Sequence, residues 1–81
     1  MSGENIYNDI NKHITLFLRN DINAGSLISF LESIIDKVSE KDILGDIENI
    51  ILDFEYKFID SNYRLNTIDL SIKLKNKLNS M

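Results

Sequence analysis

The side chains of this chain that can do chemistry are carboxylates, and they are gathered on one stretch, Lys41 to Tyr63. On a helix turning about 100° per residue, Asp42, Asp46, Asp53 and Asp60 fall on one flank, and Glu48 and Glu55 on the other. Between the flanks, where a solvated helix is normally polar, stand Leu52, Tyr56 and Ile59. Carboxylates bordering an apolar strip suit contact with a basic surface, because charge speeds encounter and apolar side chains supply desolvated anchors. A nuclease gathers basic residues around its scissile phosphate, so such an array is complementary to one. Taken singly, Leu52, Tyr56 and Ile59 are explained equally well by packing on another helix or on a second copy of the chain, since exposed apolar residues are common.

The same acids are poorly placed for catalysis. Asp53 and Glu55 are two residues apart and point away from each other on a helix. The pairs Asp42/Asp46 and Glu48/Glu55 have no histidine to complete a metal site, and no stretch alternates oxygen ligands around a central glycine as a calcium loop does. His13, the one histidine, adjoins the core position Ile14 and reads as a surface or boundary residue. No HExxH motif, phosphate-cradling glycine loop or Ser-His-Asp set is discernible, and cysteine is absent. The expectation is a binding protein with no enzymatic activity, cofactor or metal.

The elements that position these acids follow from periodicity. The 81 residues, 43% hydrophobic and 27% charged, allow one domain with one modest core. With no proline and three glycines, long helices joined by short turns are the natural reading. A first helix is predicted from Glu4 to Arg19, with Ile6, Ile10, Ile14, Phe17 and Leu18 as its buried stripe. Asn20 to Asn23 carries turn chemistry, with Ile22 tucked onto the core. A second helix runs from Asn23–Ser26 to about Val38 on Leu27, Phe30, Leu31, Ile34, Ile35 and Val38. The third, capped at Ser39, buries Ile43, Leu44, Ile47, Ile50, Ile51, Phe54 and Phe58, and ends around Asp60 to Asn62. Gly45 inside it costs roughly 1 kcal/mol against alanine, so a late start or a bend is expected there. A fourth helix from about Thr67 carries Leu70, Leu74 and Leu78 at four-residue spacing. Ile68, Leu70, Ile72 and Leu74 also alternate like a strand, but a lone strand has no partner. The fold class expected is an all-α, antiparallel four-helix bundle over residues 1–81.

Charge is unevenly placed. The net charge is −4, yet Glu32 to Asp60 holds nine acids against three bases, while Ser61 to Met81 holds one acid against four bases. This argues against a nucleic-acid binder that works by neutralising phosphate. The start has no basic region leading into an apolar one, and no apolar run approaches a bilayer span. A cytoplasmic protein without membrane contact is the expectation.

Three patterns together resemble the colicin D-type immunity proteins, including those that accompany contact-dependent growth-inhibition toxins. Ile14-Thr15-Leu16-Phe17-Leu18, then Asp21-Ile22-Asn23-Ala24 and Phe30, is similar to a helix ending in Phe-Leu, a turn with an Ile-x-Ala step and a phenylalanine in the next helix. Glu55-Tyr56-Lys57-Phe58-Ile59-Asp60 resembles the Glu-x-x-Phe-x-Asp end of an acidic helix, and Ile68-Asp69 to Leu78 a closing helix rich in leucine and lysine. Ser61 to Asn66 departs from the pattern, lacking its proline and extra acids. The resemblance implies a cognate inhibitor of a secreted toxin nuclease, typically one that cleaves tRNA, bound as a 1:1 complex with carboxylates standing where substrate phosphates would go. By matched position, Glu55 and Asp60 are its acidic contacts. The whole contact set expected is Asp46, Leu52, Asp53, Glu55, Tyr56, Ile59, Asp60 and Tyr63. Two other classes remain open. One is an acyl-carrier-like protein modified on Ser26 or Ser61, although neither sits in an Asp-Ser-Leu context. The other is a homodimer paired through Leu52, Tyr56 and Ile59.

Overall fold

A computed structural model describes residues 4–55 and 63–80, and every regular element among them is helical. The elements are α1 (Glu4–Leu18), α2 (Ala24–Ile34), α3 (Lys41–Glu55) and α4 (Tyr63–Asn79), with a 3-10 turn, Ile35–Lys37, closing α2. The all-α bundle expected from the apolar spacing is what forms.

Cross-helix contacts set the directions. Asn11 Nδ2 donates to Asn79 Oδ1 and Lys75 Nζ to Thr15 Oγ1, so α1 and α4 run antiparallel. Asp46 meets Lys77, and Asp53 meets Thr67, so α3 and α4 do too. Each helix packs on the next in sequence, and α4 returns to α1.

Among the described residues, the buried hydrophobic side chains are aliphatic apart from Phe17. Ile10 and Ile14 from α1, Leu27 and Leu31 from α2, Ile43, Ile47 and Ile50 from α3, and Leu74 from α4 are fully or almost fully buried. Each such side chain contributes about 1.5–3 kcal/mol by leaving water. The contribution of α4 differs from the others. Among its described side chains the buried ones are Thr67, Ser71, Leu74 and Leu78, two hydroxyls and two leucines. That composition is why its helical signal is weak beside an alternating Ile68–Leu74 run.

Local chemistry explains where the helices end. Asn20 takes a left-handed φ of 64° just past α1. Its N–H donates to Phe17 O and that of Asp21 to Leu16 O, the double closure that satisfies a helix's last carbonyls. Asn23 caps α2, its side-chain oxygen accepting from Ser26 N–H at 2.8 Å. The helix expected to reach Val38 instead tightens at Ile35 and stops at Lys37.

Three further expectations are corrected. Ser39 was expected to cap α3, but the first turn closes one residue later, with Leu44 N–H donating to Glu40 O at 2.9 Å. Ser39 Oγ instead lies 3.3 Å from Tyr7 Oη, which also accepts from Glu40 N–H at 3.2 Å. These contacts tie α1 to the head of α3 and hold the Tyr7 phenol below its ordinary pKa of 10.0, the Ser39 hydrogen bond first among the causes. The fourth helix starts at Tyr63, four residues before Thr67. Thr67 is no helix start, because it is fully buried and its hydroxyl donates to the Asp53 carboxylate. Gly45 neither delays α3 nor ends it.

Candidate protein interface

The two carboxylate flanks of α3 have different fates. Asp46 is buried, 5% exposed, and its Oδ2 lies 3.1 Å from Lys77 Nζ on α4. That oxygen makes no aligned hydrogen bond among the described residues, so the contact is a Coulombic pair between helices. Asp53 is half-buried and accepts from Thr67. Asp46 and Asp53 therefore face α4. Asp46 is corrected from an exposed contact to an interior residue, and Asp53 from a free carboxylate to a hydrogen-bonded one. The physical reason is that Asp46 stands three residues after Ile43 and four before Ile50, inside the core repeat.

The glutamate flank faces outward. Glu48, Leu52 and Glu55 are all exposed and follow one another at steps of four and three, which stacks them in one stripe. Leu52 is 48% exposed, and Glu48 and Glu55 stand about 10 Å apart along the axis at 1.5 Å per residue. Among the described residues no cation is paired with either glutamate. Beside the stripe runs a shallow groove lined by Ile35, Gly45, Glu48, Asn49, Ile51 and Leu52. Its apolar floor comes from the 3-10 turn and α3, where Ile35 and Ile51 are half-buried against the core.

Of the remaining expected contacts, Tyr56, Ile59 and Asp60 lie outside the described residues, as does the side chain of Tyr63 at the head of α4. Sequence reasoning placed Glu48 on the correct flank but left it out of the contact set. It also missed Ile35 and Gly45. The signal for Gly45 and Glu48 was present, since 45, 48, 52 and 55 continue one three-and-four repeat.

Other features are accounted for by packing. His13 stacks on Phe30 at 3.6 Å between ring centroids, and its Nδ1 lies 2.8 Å from Asp9 O, which fits the boundary histidine expected. A second groove, between the head of α3 and the tail of α4, is lined by Glu40, Asp42, Lys73 and Lys77, with acids and bases balanced. Among the described residues no three His, Asp or Glu side chains gather where they could hold a metal, and no helix is long and apolar enough to cross a membrane. What the outward stripe can do chemically is present two fixed negative charges on either side of one desolvatable leucine.

Compared with family models, with curated proteins and with solved structures, the chain matches none.

Proposed function

We propose that this chain is an immunity-type inhibitor, which binds the basic active-site cleft of a bacterial toxin nuclease and excludes its RNA substrate. The observation that carries the reading is the outward Glu48–Leu52–Glu55 stripe, a leucine 48% exposed between two carboxylates of like charge. No cation of the described residues pairs with either glutamate, and a cationic surface is complementary to the negative face they form. Leucine between them gains from losing water only when a partner covers it. The resemblance to colicin D-type immunity proteins adds the class of partner, a nuclease acting on tRNA. On this reading the contacts among the described residues are Glu48, Leu52 and Glu55, which are exposed, while Asp46 and Asp53 face α4.

The test sequences the frames beside the chain's gene for a toxin nuclease, whose absence counts against the reading, and pairs its purified nuclease domain with the chain. Equimolar wild-type chain is expected to abolish tRNA cleavage, and the Glu48→Lys/Glu55→Lys variant to leave cleavage running with its helical content unchanged. Full inhibition by that variant, or no inhibition by the wild type, overturns the reading.

A further inference from the structure

Gly45 is a residue of α3 whose presence the fold does not explain. It lies inside a continuous helix, where glycine is disfavoured against alanine because its unfolded chain is freer. Glycine is tolerated in such places when the backbone needs a left-handed angle or when a neighbour packs too closely for a Cβ. Neither holds here. Gly45 has no positive φ, and a Cβ built on it would meet nothing within 4 Å. The space a side chain would fill is the groove beside Leu52, bordered by Ile35 and Ile51 and by the carboxylate of Glu48.

We infer that Gly45 keeps open a notch that receives one apolar side chain of the partner, with basic partner residues further along α3 reaching Glu48 and Glu55. The occupant is argued from charge and spacing. The floor is apolar, and the two glutamates bracket Leu52 along the helix with no cation of this chain paired to them among the described residues. A partner element with an apolar side chain followed by lysines or arginines matches this surface in both shape and sign. The inference rests on the inhibitor reading above and adds the mode of engagement: an anchor inserted into α3, rather than charge neutralisation alone.

The experiment is calorimetric titration of the chain with the nuclease domain used in the inhibition test, alongside thermal unfolding of each variant. Gly45→Ala is expected to raise the melting temperature by about 4 °C or more, because alanine suits a helix interior. The same change should weaken binding, giving a more stable but poorer inhibitor. Gly45→Leu should bind roughly tenfold to a hundredfold more weakly, as when an added side chain occupies space the partner needs. A purely structural role for Gly45 would move stability and binding in the same direction.

The failures are distinguishable. If Leu52→Asp weakens binding while Gly45→Leu binds like the wild type, the notch is empty in the complex and only this inference falls. If the wild-type chain binds no nuclease domain, the inhibitor reading falls and the inference with it. If sedimentation shows a wild-type dimer that Gly45→Leu breaks, the occupant is a second copy and the assignment to a basic partner is wrong.

Discussion

Lys77 Nζ lies 3.1 Å from Asp46 Oδ2, joining a lysine side chain 36% exposed to a carboxylate side chain only 7% exposed. The pair therefore works unequally: Lys77 retains much of its water, whereas Asp46 depends on Lys77. Removing the lysine strands a buried charge. Lys77→Met is expected to cost about 2 kcal/mol, below the usual loss for a fully enclosed pair because water reaches the lysine. Replacing both, Asp46→Leu with Lys77→Met, should recover most of that loss, since the desolvation cost disappears with the charges. Urea unfolding of the three variants and the wild type checks this. Equal stability for Lys77→Met and the wild type would remove Asp46 from the list of residues that hold α4.

The Tyr7 phenol gives a pH-dependent test of how α1 is fastened to α3. Hydrogen bonds from Ser39 and the Glu40 N–H favour the phenolate, so the folded-state pKa lies below 10.0. A group depressed on folding contributes stability that is complete above its unfolded pKa and lost as pH falls through its folded one. At neutral pH the phenol is protonated in both states, and Tyr7→Phe should cost only the hydrogen bonds, about 1 kcal/mol. Between the lowered pKa and 10.0 the wild type should gain on Tyr7→Phe as pH rises. Unfolding free energies of both chains at neutral pH and at several values toward 10.0 measure the gap. A gap that is flat or narrows with pH would contradict the assignment.

A third expectation concerns the turn before α2. Asn23 Oδ1 accepts from Ser26 N–H at 2.8 Å, and the N-terminus of α2 has no acidic residue in its first turn to share the task. Asn23→Ala should therefore destabilise the fold by about 1 kcal/mol, and Asn23→Gly by only a few tenths. Thermal unfolding of the two variants separates lost capping from any change in packing, because Asn23 is exposed.

What could be read in advance divides along these same residues. Ile43, Ile47 and Ile50 repeat at helical spacing and are buried as that spacing requires. Asp46 falls on a flank of that stripe at 100° per residue, close enough to it to be buried rather than solvated. Its burial depends on Lys77, thirty-one positions along the chain, and nothing local announces that partner. Thr67 misled in the opposite way. Threonine and the nearby Asp69 are good helix starts by propensity, yet this hydroxyl is committed to Asp53, so α4 begins four residues earlier. The outward stripe was half legible. The exposure of Leu52 followed from its place opposite the isoleucines, whereas the groove beside it needs Ile35, which a different element brings alongside.

The kinetics of the proposed complex should separate the two kinds of residue on that stripe. Charges at an interface rim act at a distance and mainly set the encounter rate, while a covered apolar side chain acts only after contact and sets dissociation. Glu48 and Glu55 are exposed, so Glu48→Lys and Glu55→Lys should slow association and flatten its dependence on salt, because fewer favourable charges remain to be screened. Leu52→Ala should leave association nearly unchanged and speed dissociation by roughly tenfold or more, the usual cost of truncating a central anchor. Surface plasmon resonance against the nuclease domain at two ionic strengths reads both rates. If Leu52→Ala alters only association, or if the glutamate variants alter only dissociation, Leu52 is not a covered anchor and the charges do not form an exposed rim around it.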